Sequence, residues 1–397
     1  MRRPSPSSAA GAAIFLTMSL SACAAMLDRL ERPRTPATEQ VACPALTTAP
    51  TPTWAAASTT LPPFEVPAVP ASLEARVAVW ERIWGRLGDR QHLLVDGDRP
   101  WIVWAEVDCR GVNDTACKAR LDEARDHAVA RFSAFAQTGN DDELLARYDG
   151  DADLAGGAEE RLITLRGRRG FLRSGLRRAA GELHEVEAIF AAADVPRAFA
   201  RIALFESGWQ SDGVSHKGAA GIFQFTPSTA QHLLTVDDVV DERLDTRRSA
   251  AAAARYLKDL RDQLGSWPLA LTAYNTGPTR LASVMAARGS RDLGVVVNGG
   301  DHGGFGFDGQ NYAAQIIAIA RVSAETPLAV SHRNDALYEV VGDTSIPAIA
   351  ACLDVDVDAL AAANPALTAI ADGSGSVPVG HIVQIPGRDD GTRFAQQ

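Results

Sequence analysis

One stretch constrains the fold more than any other: ALFESGWQ at residues 203–210, followed by GAAGIFQFTPSTA at 218–230. Asp194 and Pro196 set a helix start ahead of it, because aspartate caps helices well and proline is tolerated in a first turn. The expected helix carries Phe199, Ile202, Ala203 and Glu206 along one apolar side and stops at Gly208. A carboxylate is therefore expected on a buried face, in the last turn of a helix. Burial penalises its anion and the negative end of the helix dipole repels it, so both favour the protonated acid. An acid that stays protonated near neutral pH can donate to a leaving oxygen. A glutamate in this place also fits a buried structural hydrogen bonder, so its neighbours decide. Gly218 and Gly221 permit close backbone approach, and Gln224 supplies an amide able to hold an N-acetyl or hydroxyl group. AYN at 273–275 adds the phenol of Tyr274 and the carboxamide of Asn275. Trp209 and Tyr274 fit both flat sugar-stacking faces and simple packing.

The surrounding pattern is helical. Thr226 is placed as an N-cap with Pro227 at the first helical position. SAAAAARYLKDLRDQLG puts Ala253, Tyr256, Leu257, Leu260 and Leu264 on one face, closed by Gly265, and WPLALTAYN continues at helical spacing. The glycine-rich stretch at 289–309 reads as a long loop beside the groove, leading to a last helix that begins near Tyr312. Residues 72–180 also read as helical, with Val77, Trp80, Ile83 and Trp84 on one side as core. The basic run LRGRRGFLRSGLRR at 165–178 reads as a solvated helix face. At 338–387 a strand, two short helices and a returning strand give a βααβ order.

At the N-terminus, Arg2 and Arg3 precede the apolar run AAGAAIFLTMSLSAC, which suits an export signal over residues 1–22. LSAC resembles the bacterial lipobox, implying lipidation of Cys23, an acyl membrane anchor and, with alanine next, outer-membrane sorting. Residues 23–71, rich in Pro, Ala and Thr, then read as a lipidated N-terminus and disordered tether. In an oxidising compartment the spacing of Cys109 and Cys117 suits a small disulfide loop. No cysteine has the spacing of a structural zinc site, and no metal or organic cofactor is expected. The net charge of -10 argues against a nucleic-acid partner. No protein partner can be read from the sequence.

With these blocks in hand, the chain resembles lytic murein transglycosylases with the soluble-transglycosylase domain, especially the membrane-bound D type. Three blocks carry the likeness in order: ALFESGWQSDGVSHKGAAGIFQFTPSTA, DERLDTRRSAAAAARYLKDL and WPLALTAYNTGP. The likeness covers roughly 190–325. The C-terminal segment resembles a LysM peptidoglycan-binding module through GDT, NP and the final IP. The resemblance implies a mainly α fold: a lysozyme-like catalytic domain at 181–330, an additional helical N-terminal region at 72–180 and a small βααβ LysM domain.

It also implies cleavage of the MurNAc–GlcNAc bond of peptidoglycan glycan strands, without water, to 1,6-anhydromuramic ends. Glu206 matches the family's catalytic glutamate. Ser207, Gln224, Tyr274, Asn275, Asp308 and Tyr312 match its substrate-binding positions. Thr226, Thr276, Thr279 and Gln310 depart from the family pattern. Two alternatives accompany this reading: a hydrolytic muramidase, for which Asp212 and Asp241 are the available second carboxylates, and an inactive wall-binding scaffold. A LysM module acting as a simple anchor leads to the expectation that its deletion weakens wall binding more than turnover of short glycans. The implied location is the bacterial envelope, as an outer-membrane lipoprotein facing the periplasm.

Overall fold

The computed structural model describes residues 43, 45–49, 63–298, 305–324 and 335–387, all within one unit, Cys43–Gln397. The expected signal peptide, Cys23 and most of the tether lie outside the described residues. Among the described residues no helix is long and apolar enough to cross a membrane.

The core is organised around a helix that water barely touches. In chain order the main elements up to residue 324 are β1 (Leu46–Thr48), α1 (Ala71–Glu81), β2 (Gln91–Asp96), β3 (Val103–Asp108), α2 (Asp114–Thr138), β4 (Leu162–Arg166), α3 (Arg169–Ala179), α4 (Leu183–Ala192), α5 (Ile202–Glu206), α6 (Thr246–Leu264), α7 (Trp267–Thr276), α8 (Pro278–Arg288), α9 (Leu293–Asn298) and α10 (Gly306–Ala324). Every side of α10 is buried from Gly309 to Ala320, so it packs as a central helix and not as an amphipathic one. It lies against α1 and α7, and α6 packs on α4 and α7. The helix starts at Gly306, ahead of the expected Tyr312. The preceding glycine-rich stretch is not loop throughout: Leu293, Val296 and Val297 of α9 are buried in the same core. Burial of these three apolar residues favours the helix despite the glycines in and around it.

The expected boundary near 180 does not separate two cores. Leu73, Val77, Ile83 and Trp84 share one cluster with Phe199, Leu257, Tyr312 and Ile316. Arg76, fully buried on α1, ties the segments together: its guanidinium donates to Asn311 Oδ1 on α10 at 2.8 Å, to Asn298 Oδ1 on α9 at 3.1 Å and to the Asp98 carbonyl at 2.6 Å. Burial pushes its pKa down to about 9. The sequence expectation of helix throughout 72–180 also needs correction. β2, β3 and β4 form an antiparallel sheet of order β3-β2-β4, with His92 opposite both Val107 and Arg166. β2 is buried on both faces over 93–96, so its apolar run lacks the alternation that marks a strand.

Asp194 does not cap the next helix. It takes φ 58° just past the C-terminus of α4, and Pro196 instead precedes a 3₁₀ turn, Arg197–Arg201, that runs into α5. Two helix ends are as expected: Thr226 accepts from the Thr229 N–H, and Gly265 closes α6 at φ 83°.

The C-terminal residues form β5 (Ala336–Val340), α11 (Ile346–Leu353), α12 (Val357–Ala363) and β6 (Ile382–Ile385). β1 adds to the free edge of β5, giving the order β1-β5-β6, and Cys43 is bonded to Cys352. This part of the expected tether is therefore a paired strand. Its far end is also docked: the Phe64 ring lies 4.4 Å from the Arg201 guanidinium, and Val66 and Val69 pack on the main core. Pairing and apolar contact repay the ordering that composition alone argues against. Cys109 and Cys117 form the short disulfide loop between β3 and α2.

Candidate active site

The site is built where α5 ends. Ser207 and Gly208 N–H donate back to Ala203 and Leu204, and Gly208 turns the chain at φ 61°. A Cβ at Gly208 would lie 2.7 Å from Phe171 Cζ and 2.8 Å from Arg178 Nη2, which would have to shift, and the left-handed backbone itself favours glycine there. Glu206 is left partly buried, facing α10. Tyr312, fully buried on α10, donates its hydroxyl to Glu206 Oε1 at 2.5 Å.

Desolvation raises the Glu206 pKa to about 7, and the Tyr312 hydrogen bond pulls the other way by favouring the anion. Burial is the larger effect, so the acid holds its proton near neutrality. No other charged group among the described residues contributes to that shift. Tyr312 and Tyr274 are themselves pushed up by burial and by the neighbouring carboxylate, so both remain hydrogen-bond donors.

An aromatic wall backs the acid. The Tyr274 and Tyr312 rings stack with centroids 6.3 Å apart at 19°, Phe205 meets Tyr312 edge-on at 5.1 Å, and Tyr256 lies 5.7 Å from Tyr274. Tyr274 donates to the Phe223 carbonyl at 3.0 Å, which joins α7 to the glycine turn. Tyr256 reads from sequence as one more apolar position on α6, and its place beside Tyr274 carries no signal in spacing.

The glycine turn is tightly wound. Gly221 N–H donates to the Gly213 carbonyl at 3.1 Å, and Gln224, at φ 50°, sends Nε2 to the Gly213 and Gly221 carbonyls at 3.1 and 2.9 Å. Its amide nitrogen is thus spent inside the turn, while Oε1 makes no hydrogen bond among the described residues. Ser207 is likewise committed inward: Oγ donates to the Ile222 carbonyl at 3.1 Å and accepts from the Gln210 N–H, pinning the helix end to the turn. Trp209 resolves to packing. It is 4% exposed, and its Nε1 donates to Glu182 at 3.0 Å.

Asn275 is exposed at the end of α7, and Asp308 is exposed on the first turn of α10. Neither has a hydrogen bond to Glu206. Asp241 is paired with Arg243 at 2.7 Å, and Asp212 is exposed.

Comparison with known proteins gives this geometry a family setting. Residues 187–293 match the family model described as the transglycosylase SLT domain. Membrane-bound lytic murein transglycosylase F of Cronobacter sakazakii is 34% identical over 125 residues, covering 29% of this chain and 23% of that protein. The protein of the same description from Nitrosospira multiformis is 37% identical over 93 residues, covering 21% and 18%. The chain thus spans under a quarter of the length of these relatives. Among solved structures, the 70 kDa soluble lytic transglycosylase of Escherichia coli aligns at 17% identity and TM-score 0.30, over 52% of this chain and 43% of that one. The helix that ends in Glu206, the glycine turn and the Tyr274 helix all fall within the matched segment, so the site lies in a mainly helical part of this chain that is similar to the transglycosylase SLT domain.

Proposed function

We propose that the protein is a peptidoglycan lytic transglycosylase in which Glu206 acts first as acid and then as base. The observation that carries this reading is a single partly buried carboxyl, raised to about 7 by burial, on which no second carboxylate among the described residues acts. Paired-carboxylate glycosidases set their two groups within roughly 5–10 Å, where each perturbs the other. Asp241, engaged with Arg243, does not suit the role of a second carboxylate.

In the proposed sequence, protonated Glu206 donates to the oxygen leaving muramic C1 as that bond breaks. The substrate's own 2-acetamido group stabilises the cation. Ionised Glu206, held by the Tyr312 hydroxyl, then takes the proton of the C6 hydroxyl while O6 closes on C1. The glutamate ends protonated, and no water is consumed. Gln224 Oε1, Asn275 and Asp308 are the groups left to meet the sugar and its substituents. Ser207 and Tyr274 act by holding the turn and the aromatic wall.

The finer assignment is the D type, with residues 338–387 as a LysM module on N-acetylglucosamine-rich strands. Lipidation at Cys23 would place the protein at the outer membrane, facing the wall, and the relatives' description as membrane-bound supports an envelope location. The deciding experiment is mass spectrometry of soluble products from purified peptidoglycan treated with wild type and with Glu206→Gln. Anhydromuramic ends from wild type alone are expected. Reducing ends would replace the proposal with a hydrolytic muramidase, and binding without products from either protein would replace it with a scaffold.

A further inference from the structure

The C-terminal module touches the helical domain at one place that also reaches the glycine turn. Val240, 3% exposed, is buried in the module's apolar cluster with Leu360, Leu367 and Ile385, and Val239 packs beside it. The Asp241 N–H donates to the Ala366 carbonyl of the module at 2.9 Å. Two residues on, Arg243 turns back toward the site. Its Nε and Nη2 pair with the Asp241 carboxylate at 2.9 and 2.7 Å, and Nη1 donates to the Gly218 carbonyl at 2.7 Å and the Phe225 carbonyl at 3.3 Å. One guanidinium therefore closes both ends of the turn that carries Gln224 and the Phe223 carbonyl. The contact is intimate: a Cβ on Gly221 would lie 1.7 Å from the Arg243 carbonyl oxygen.

We propose that Arg243 is a positioning residue for the glycine turn beside Glu206, and that the C-terminal module, seated on Val239 and Val240, holds it in place. The module is then part of the site's scaffold as well as an anchor. This revises the expectation that its loss would weaken wall binding more than turnover of short glycans. The catalytic half of the inference rests on the lytic transglycosylase reading, and the structural half does not. The physical route is short and continuous: module core, Val240, the Asp241–Arg243 pair, the turn's carbonyls, Tyr274. Arginine suits the task because its fork can serve a carboxylate and two carbonyls at once, which a lysine ammonium on a single stem cannot match.

The test uses the full chain with Val240→Asp, which places a charge in the docking contact, and with Arg243→Ala and Arg243→Lys. Amide hydrogen exchange is read at Ala220, Gly221 and Gln224, whose N–H groups are bonded within the turn. Turnover is read on short soluble glycan strands. Exchange at these amides is expected to rise about tenfold or more in Val240→Asp and Arg243→Ala while α6 and α7 keep their protection. The expected kinetic effect is a kcat about tenfold lower with KM changed less, and partial recovery in Arg243→Lys. Unchanged exchange in Val240→Asp overturns the coupling, whether or not the protein cleaves glycan. Faster exchange with full kcat overturns the positioning role. If Val240→Asp loses protection everywhere, Arg243→Lys decides, since wild-type exchange and kcat there would also overturn the role. A wild type that yields no anhydro product refutes the functional reading separately, and the exchange result still judges the contact.

Discussion

At the scale of the residue, Glu206 is governed by two opposed effects of unequal size. Burial removes water and lifts its pKa to about 7, while the Tyr312 hydroxyl favours the anion. If the acid form starts the reaction, turnover falls as pH rises through about 7, and a pH–kcat profile reads that limb directly. Tyr312→Phe removes the one contact that lowers the pKa, so the limb moves to higher pH, and kcat drops about 10–100-fold because the anion loses its donor. A limb that stays put would mean the hydroxyl does not act on the carboxyl. The same shift has a stability consequence. A carboxyl with a raised pKa costs nothing while it is protonated in both folded and unfolded chains. The cost appears above the unfolded value, near 4.5, and is complete above about 7. Glu206→Gln should therefore gain about 2 kcal/mol on wild type between pH 4 and pH 8, after discounting for the residue's partial exposure. Denaturant unfolding at the two pH values measures this. A gain that is equal at both would count against a perturbed carboxyl.

At the scale of the element, the glycine turn is the strained piece of the site. Gly221 sits at φ 73° with the Arg243 carbonyl where a side chain would begin. Gly221→Ala should cost at least about 2 kcal/mol and abolish turnover, because neither the backbone angle nor the space allows a Cβ. A stable, active variant, seen by thermal unfolding and product assay, would show that the turn can be rebuilt. Elements of this kind were legible in the sequence because local chemistry sets them. Thr226 with Pro227 marks a cap, Gly265 marks an end, the α6 face repeats at helical spacing, and the C-terminal strands and helices follow their own patterns. Glu206 was legible for the same reason, as a carboxyl on an apolar face before a glycine. What could not be read depends on partners distant in sequence. β2 looks like any buried apolar run until β3 and β4 flank it, and α9 looks like loop until its valines find α1 and α10. Trp209 has the same residue type whether it stacks a sugar or fills a core, and its burial and the hydrogen bond to Glu182 distinguish them. Gln224 was legible as a candidate site residue, but nothing in the spacing shows that its amide nitrogen is consumed by Gly213 and Gly221.

At the scale of the whole molecule, the C-terminal sheet takes in a strand from far earlier in the chain. A strand of three residues is too short to hold an edge by itself, yet β1 pairs with β5 in register, Leu46 opposite Val340 and Thr48 opposite Tyr338. The Cys43–Cys352 bond, between residues 309 apart in sequence, explains how: it makes the meeting of β1 and β5 local. Cross-linking so long a loop removes much conformational freedom from the unfolded chain, and bonds of this kind contribute about 2–4 kcal/mol. The Cys43→Ser, Cys352→Ser double variant should lose stability of that order, concentrated in the C-terminal sheet. The sharpest readings are the Ala49 amide, which donates to Leu337, and the Val341 amide, which donates to Ala45. Both should exchange far faster without the disulfide, whereas the β5–β6 ladder, from Ala336 opposite Ile385 to Glu339 opposite Ile382, should keep its protection. Because the module meets the helical domain through Val240 and the Ala366 carbonyl, the glycine turn should also stay protected in this variant. Loss of protection there would mean that the N-terminal strand supports the site as well as the sheet, and equal protection of β1 would mean that its three-residue pairing is stable without the covalent bond.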